Sequence, residues 1–116
     1  MAWLALTGAP SVAASGGTCS PNGTQLAISA FDSKFDKDCL AAPANNAFTI
    51  DFNNLDRGIP HNVAIYKSDS DEQPLFKGEL IEGPKRTTYS VPALPQGQWV
   101  FRCDPHPDMH GTFIVA

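Results

Sequence analysis

Short runs in which apolar residues alternate with polar or small ones recur along the chain from Gly23 onward. The alternating positions are, in chain order, Leu26, Ile28 and Ala30; Phe48, Ile50 and Phe52; His61, Val63 and Ile65; Thr87, Tyr89 and Val91; Trp99, Phe101 and Cys103; and Phe113 and Val115. A period of two residues is typical of β-strands that bury one face, so each run predicts a strand. The apolar pair Leu80 and Ile81 predicts one further short strand.

Turn-forming sequences separate these predicted strands at Asn53-Asn54, residues 68–71, Gly83-Pro84 and residues 95–97. The chain contains 10 Pro and 9 Gly, which suits many short strands joined by turns. No window keeps a helical period for more than two turns, and no apolar run is long enough for a transmembrane helix. The pattern therefore predicts an all-β fold, either a β-sandwich or a barrel.

Composition limits the size and the partners of the protein. A chain of 116 residues suits one domain, and 42% hydrophobic residues with 17% charged ones provide enough apolar surface for one core. The formal net charge of −4 disfavours nucleic acid and anionic membrane surfaces as partners.

The first 18 residues differ from the rest because they are small, apolar and uncharged. They lack the positive n-region and the long apolar core of a complete secretory signal. We interpret residues 1–18 as the remnant of a signal or anchor, or as a linker, and residues 19–116 as the folded domain.

Three cysteines give an odd count. The simplest arrangement is a Cys19–Cys39 disulfide together with Cys103 as a metal thiolate. A disulfide would indicate an oxidising, extracytoplasmic compartment. The alternative is two free buried thiols in a cytosolic protein.

Potential metal ligands are concentrated near the C-terminus, where Cys103, His106 and Met109 follow each other at intervals of three residues. His61 lies far upstream, but the alternation places both His61 and Cys103 on inward faces at strand ends. A buried ionisable side chain needs a partner, and a shared metal ion would supply one. Two His, one Cys and a weak Met form the ligand set of electron-transfer copper sites. Two prolines within the loop limit its freedom to move.

Cys103-Asp-Pro-His106-Pro-Asp-Met109, together with the upstream Pro-His61-Asn62-Val, resembles the cupredoxins, the small blue copper proteins. The spacing of the ligand loop is most similar to that of amicyanin. The resemblance covers roughly residues 24–116 and implies a Greek-key β-sandwich with one type 1 copper ion. It implies His61, Cys103 and His106 as equatorial ligands and Met109 as the axial ligand. It also implies that Asn62 tethers the ligand loop while its backbone amide binds the Cys sulfur.

The resemblance further implies that electrons enter and leave through the exposed edge of His106. The expected function is transfer of single electrons between redox proteins, a cytochrome or an oxidase or dehydrogenase, docking near His106. The expected protein is a monomer without enzyme activity of its own. It would be periplasmic or secreted, and membrane-associated only if an N-terminal segment anchors it.

Other interpretations remain open at this point. The chain would also suit a copper-binding domain of a larger oxidase, a copper carrier, or a zinc site that makes little use of Met109. Cys103 and His106 would alternatively form a catalytic nucleophile pair, although their spacing on a Pro-bounded loop suits a shared metal better. His110 lies outside the usual ligand set, as an exposed neighbour or a pH-sensitive group.

Overall fold

The computed structural model describes residues 18–116, which form two β-sheets and a short strand pair. The strands are β1 (Gln25–Phe31), β2 (Lys34–Phe35), β3 (Cys39–Ala42), β4 (Phe48–Asn54), β5 (Pro60–His61), β6 (Ala64–Tyr66), β7 (Pro74–Lys77), β8 (Ile81–Glu82), β9 (Lys85–Val91), β10 (Gly97–Arg102) and β11 (His110–Val115). One sheet has the order β9-β4-β1-β2, the other has the order β3-β11-β10-β6-β7, and β5 pairs with β8. The pairs β1–β4 and β3–β11 are parallel, and the other pairs are antiparallel.

The core lies between the two sheets and is built by the alternation seen in the sequence. Phe48, Ile50 and Phe52 of β4 are buried, and they face Phe101 of β10 and Phe113 of β11 in one apolar cluster. Ring centroids of Phe48 and Phe113 lie 5.6 Å apart, within the range of favourable aromatic pairs. The prediction of an all-β sandwich is confirmed.

The structure divides the alternating run from His61 to Ile65 into two strands. His61 ends β5, whereas Ile65 belongs to β6 in the larger sheet, and Asn62 and Val63 connect them. The prediction of one continuous strand is therefore wrong. The break occurs because Asn62 is fully buried and uses its side chain, rather than a strand ladder, to bind neighbouring segments.

The predicted turn at Asn53-Asn54 is also wrong, since β4 continues through Asn54. The Asn54 side chain is fully buried. Its amide donates to the backbone carbonyls of Ile59 at 2.9 Å and Ile81 at 2.8 Å, and its oxygen accepts from the backbone N–H of Asp56 at 2.9 Å. Asn54 thus joins the end of β4 to the segments that carry β5 and β8.

Strands β2, β3 and β7 were not evident from the alternation. The clearest example is β3, whose residues Cys39–Ala42 are almost continuously buried and pair in parallel with β11. A strand buried on both faces has no polar alternation to reveal it.

The structure contains the predicted disulfide between Cys19 and Cys39. It joins the beginning of the described chain to the first residue of β3. The predicted N-terminal segment lies outside the described residues except for Thr18, so its interpretation as a remnant or linker stays a prediction. Among residues 18–116, the structure has no helix of the length and apolarity needed to cross a membrane.

Replacing both Cys19 and Cys39 with Ser should lower the free energy of unfolding. The disulfide closes a loop of 20 residues, and the loss of that constraint on the unfolded chain is worth about 3 kcal/mol. Urea denaturation followed by tryptophan fluorescence would measure the change. The folded far-ultraviolet circular dichroism should stay the same, and an unchanged denaturation midpoint would contradict the prediction.

Candidate metal centre

Three potential metal ligands converge at one end of the sandwich. His61, Cys103 and His106 each present a ligand atom, and these atoms all lie within 4.8 Å of one another. The Cys103 Sγ lies 3.5 Å from His61 Nδ1 and 3.7 Å from His106 Nδ1. His61 and Cys103 are fully buried, whereas His106 is partly exposed.

The backbone brings these residues together from two directions. His61 is held by the pairing of β5 with β8, in which it lies opposite Ile81. Cys103 directly follows β10, and the loop to β11 closes through two backbone hydrogen bonds. Cys103 N donates to Met109 O at 3.0 Å, and Met109 N donates to His106 O at 2.9 Å. The loop therefore curls around the position that the sulfur and imidazole atoms face.

Met109 lies in this closed loop, and its side chain is buried in the same apolar cluster as Cys103. His110 follows as the first residue of β11, is exposed and does not belong to the three-residue ligand group. The structure thus places His110 as a surface neighbour of the loop.

The surroundings of the Cys103 sulfur disfavour its thiolate form in the metal-free protein. Burial raises the pKa of the Cys103 thiol, and backbone N–H hydrogen bonds from Asn62 and His106 offset this only in part. The nearby Asp104 carboxylate raises the pKa further. The thiol therefore stays protonated at neutral pH, while two N–H groups are already directed at the sulfur that a metal would convert to a thiolate.

A network of hydrogen bonds holds the Asn62 segment against the ligand loop. The Asn62 amide donates to the Asp104 carboxylate and to the Gly78 carbonyl, each at 2.9 Å, and Asn62 Oδ1 accepts from Asp104 N at 2.8 Å. The second carboxylate oxygen of Asp104 accepts from the Tyr66 hydroxyl at 2.5 Å. The Arg102 guanidinium covers the Tyr66 ring, 3.7 Å from its centroid. The two sequence neighbours of Cys103, Arg102 and Asp104, therefore both contact Tyr66.

Asp56 is a part of the site that sequence reasoning missed. Its carboxylate lies 2.8 Å from His61 Nε2, on the opposite side of the imidazole from Cys103. Although burial alone would raise the pKa of Asp56, hydrogen bonds from Ser33 N, His61 and Asp32 N bring it below its ordinary value. A signal was present in the sequence, because Asn54 and Asp56 continue the two-residue spacing of Phe48, Ile50 and Phe52. In the structure β4 ends at Asn54, and both polar side chains are buried. Polar residues on an inward face need partners.

The donor set fits a metal that prefers imidazole nitrogen and thiolate sulfur. With His61 Nε2 bonded to Asp56, His61 Nδ1 is free to face Cys103 and His106. Copper and zinc both accept such ligands, and a weak thioether beside them is the arrangement found in blue copper sites. A catalytic nucleophile must be reached by its substrate, whereas Cys103 is fully buried. The geometry therefore favours a metal centre over a Cys–His nucleophile pair.

The free thiol offers a direct test of this environment in metal-free protein. Because its pKa is raised, Cys103 should ionise above the usual cysteine value of about 8.5. The contribution of this group to stability is present below that value and is lost as pH rises through the folded pKa. Thiolate absorbance near the ultraviolet edge, titrated with base, would measure the ionisation. Protein unfolded in urea is the control, and equal pKa values in the two states would contradict the analysis.

Comparison with known proteins places the chain in a family. Its sequence matches the family model of the cupredoxin-like domain over residues 1–115. No curated protein sequence matches it.

Solved structures share its fold. Auracyanin A from Chloroflexus aurantiacus superposes with a TM-score of 0.69 at 19% identity, covering 79% of this chain and 98% of that chain. Auracyanin from Roseiflexus castenholzii gives 0.67 at 19% identity, with 81% and 98% covered. Amicyanin from Paracoccus versutus gives 0.58 at 24% identity, with 82% and 84% covered. The resemblance inferred from the ligand loop is confirmed, and this chain belongs to the cupredoxin-like domain family.

Proposed function

We propose that this protein is a type 1 copper electron-transfer protein that holds one copper ion per chain. The observation that carries the proposal is the convergence of His61 Nδ1, Cys103 Sγ and His106 Nδ1 at a buried position. Auracyanin A, which shares the fold, is described as a blue copper protein. Amicyanin, which also shares it, has been solved in a Cu(I) form.

In this proposal His61, Cys103 and His106 would hold copper, and Met109 would contribute a weak thioether donor. Copper in such a site supplies reversible one-electron chemistry between its cupric and cuprous states. The residues of this chain restrict structural change around the copper position. Burial of His61 and Cys103 keeps water away, and the bonds among Asn62, Asp104 and Tyr66 hold the ligand loop in one arrangement.

Redox partners would dock where His106 reaches the surface. Pro105 and Pro107 flank His106 in the ligand loop and are exposed, and Ile59, two residues before His61, is 37% exposed. An apolar surface of this kind suits brief contacts with a cytochrome, an oxidase or a dehydrogenase. We propose that the protein acts as a monomer and passes electrons without enzyme activity of its own.

The disulfide supports an extracytoplasmic location, periplasmic or secreted, because such bonds persist in oxidising compartments. A carrier that hands copper to other proteins needs ligands that are accessible from solvent, whereas the side chains of His61 and Cys103 are fully buried. Burial therefore favours electron transfer over copper delivery. A role as one domain of a larger oxidase would use the same site.

Titration of the metal-free protein with Cu(II) should produce an intense visible thiolate-to-copper absorption that saturates at one copper per chain. Electron paramagnetic resonance should show a narrow copper hyperfine splitting. Cys103→Ser should abolish the absorption because the thiolate is lost. His110→Ala is the matched control and should keep it, since His110 lies outside the ligand group. A colourless wild-type protein would refute the proposal.

Met109→Leu should raise the reduction potential, because removing the thioether donor destabilises cupric copper more than cuprous copper. A tenfold change in the ratio of the two affinities corresponds to about 59 mV for one electron. Zinc makes little use of a thioether, so the zinc affinity of the variant should stay near that of the wild type. Voltammetry would measure the potential, and an unchanged value would exclude Met109 as a copper ligand.

A further inference from the structure

The Asp56 carboxylate is connected to more than His61. It also accepts backbone hydrogen bonds from Asp32 N at 2.6 Å and from Ser33 N at 2.9 Å. These three donors reach it from two separate parts of the chain, and Asp56 itself is only 7% exposed. In the described part of the chain, no Lys or Arg forms a salt bridge with Asp56. Its negative charge is therefore balanced by N–H groups, one of which belongs to the potential metal ligand.

The two backbone donors belong to an unusual turn. Asp32 and Ser33 connect β1 to β2, and their φ angles are 55° and 54°. A two-residue hairpin turn with two positive φ angles normally contains Asn-Gly or Asp-Gly, since other residues resist that conformation. The two N–H groups of this turn point at the Asp56 carboxylate, so the bonds to Asp56 help to hold a backbone conformation that this sequence does not favour by itself.

We propose that Asp56 is a positioning residue for His61 and that it links the β1–β2 turn to the metal ligand. This inference rests on the proposed function. The carboxylate fixes the proton on His61 Nε2, which leaves Nδ1 unprotonated and facing Cys103. It also makes the imidazole a stronger donor, because a hydrogen bond to a carboxylate raises ligand basicity. Stronger donation favours the cupric state and lowers the reduction potential.

The decisive variant is Asp56→Asn, which keeps the size of the side chain and removes its charge. Asp51→Asn is the matched control, because Asp51 is an exposed carboxylate of β4 that pairs with Arg86 on the surface. Both variants should be made in two backgrounds, the natural sequence and Asp32→Asn/Ser33→Gly. The second background places Asn-Gly in the turn, a pair that readily adopts positive φ angles. The turn should then depend less on its hydrogen bonds to Asp56.

The first measurement uses metal-free protein. Nitrogen-15 nuclear magnetic resonance of the His61 ring should show Nε2 protonated, with a slowly exchanging proton, in the wild type and in Asp51→Asn. In Asp56→Asn the two tautomers should mix and the ring proton should exchange at least about tenfold faster. An unchanged tautomer and exchange rate in folded Asp56→Asn would overturn the positioning role.

The second measurement is the reduction potential of the copper-loaded proteins. Loss of such an outer hydrogen-bond partner weakens metal binding by about tenfold or more. If that loss falls on Cu(II), the potential of Asp56→Asn should rise by about 59 mV, with little change in Asp51→Asn. Equal potentials in Asp56→Asn and the wild type would overturn the proposed effect on copper.

The outcomes separate this inference from the proposed function. A wild-type protein without the thiolate-to-copper absorption would refute the copper function, while the ring tautomer would still report on the role of Asp56. If the wild-type protein is blue, but Asp56→Asn changes neither the His61 tautomer nor the reduction potential, the positioning role is refuted and the proposed function stands. Greater loss of thermal stability from Asp56→Asn in the natural turn than in the Asn-Gly turn would support the link to that turn.

Discussion

A buried imidazole beside a buried thiol is the constraint on which one end of this sandwich depends. His61 and Cys103 are both fully shielded from solvent, and neither lies in a position where water would satisfy it. Burying polar groups without partners is unfavourable by several kcal/mol in apolar surroundings. The fold provides hydrogen-bond partners for both groups. Asp56 binds His61 Nε2, and the backbone N–H groups of Asn62 and His106 bind the Cys103 sulfur.

Three buried or partly buried polar side chains extend this arrangement into the loops. Asn54 binds the segments that carry β5 and β8, Asn62 binds the ligand loop, and Asp104 joins that loop to Tyr66. Each makes more than one hydrogen bond, so each fixes the relative position of segments that are distant in sequence. The apolar core between the sheets sets the fold, and these polar side chains set the alignment of the loops at its end.

Much of this architecture was predictable because the strands that bury one face carry a period of two. The ligand candidates were also recognisable, since Cys103, His106 and Met109 occur together on one short loop. The strand β3 was not predictable from alternation because nearly all of it is buried. Asp56 and Asn54 were harder still, since their roles depend on which loops meet, and that depends on the tertiary fold. Only their two-residue spacing after Phe52, with Asn54 at the end of β4 and Asp56 just beyond it, marked them as residues in need of partners.

The unequal exposure of the two imidazoles has a kinetic consequence. His61 is enclosed on every side, whereas His106 reaches the surface, so in the proposed function other proteins would reach the metal centre through a single edge. An electron donor and an electron acceptor would both need to occupy that edge, and they would exclude each other. The protein would therefore visit its partners in turn, and a partner that bound too tightly would inhibit the one that follows. Rapid dissociation, rather than high affinity, would then set how many electrons one molecule delivers in a given time.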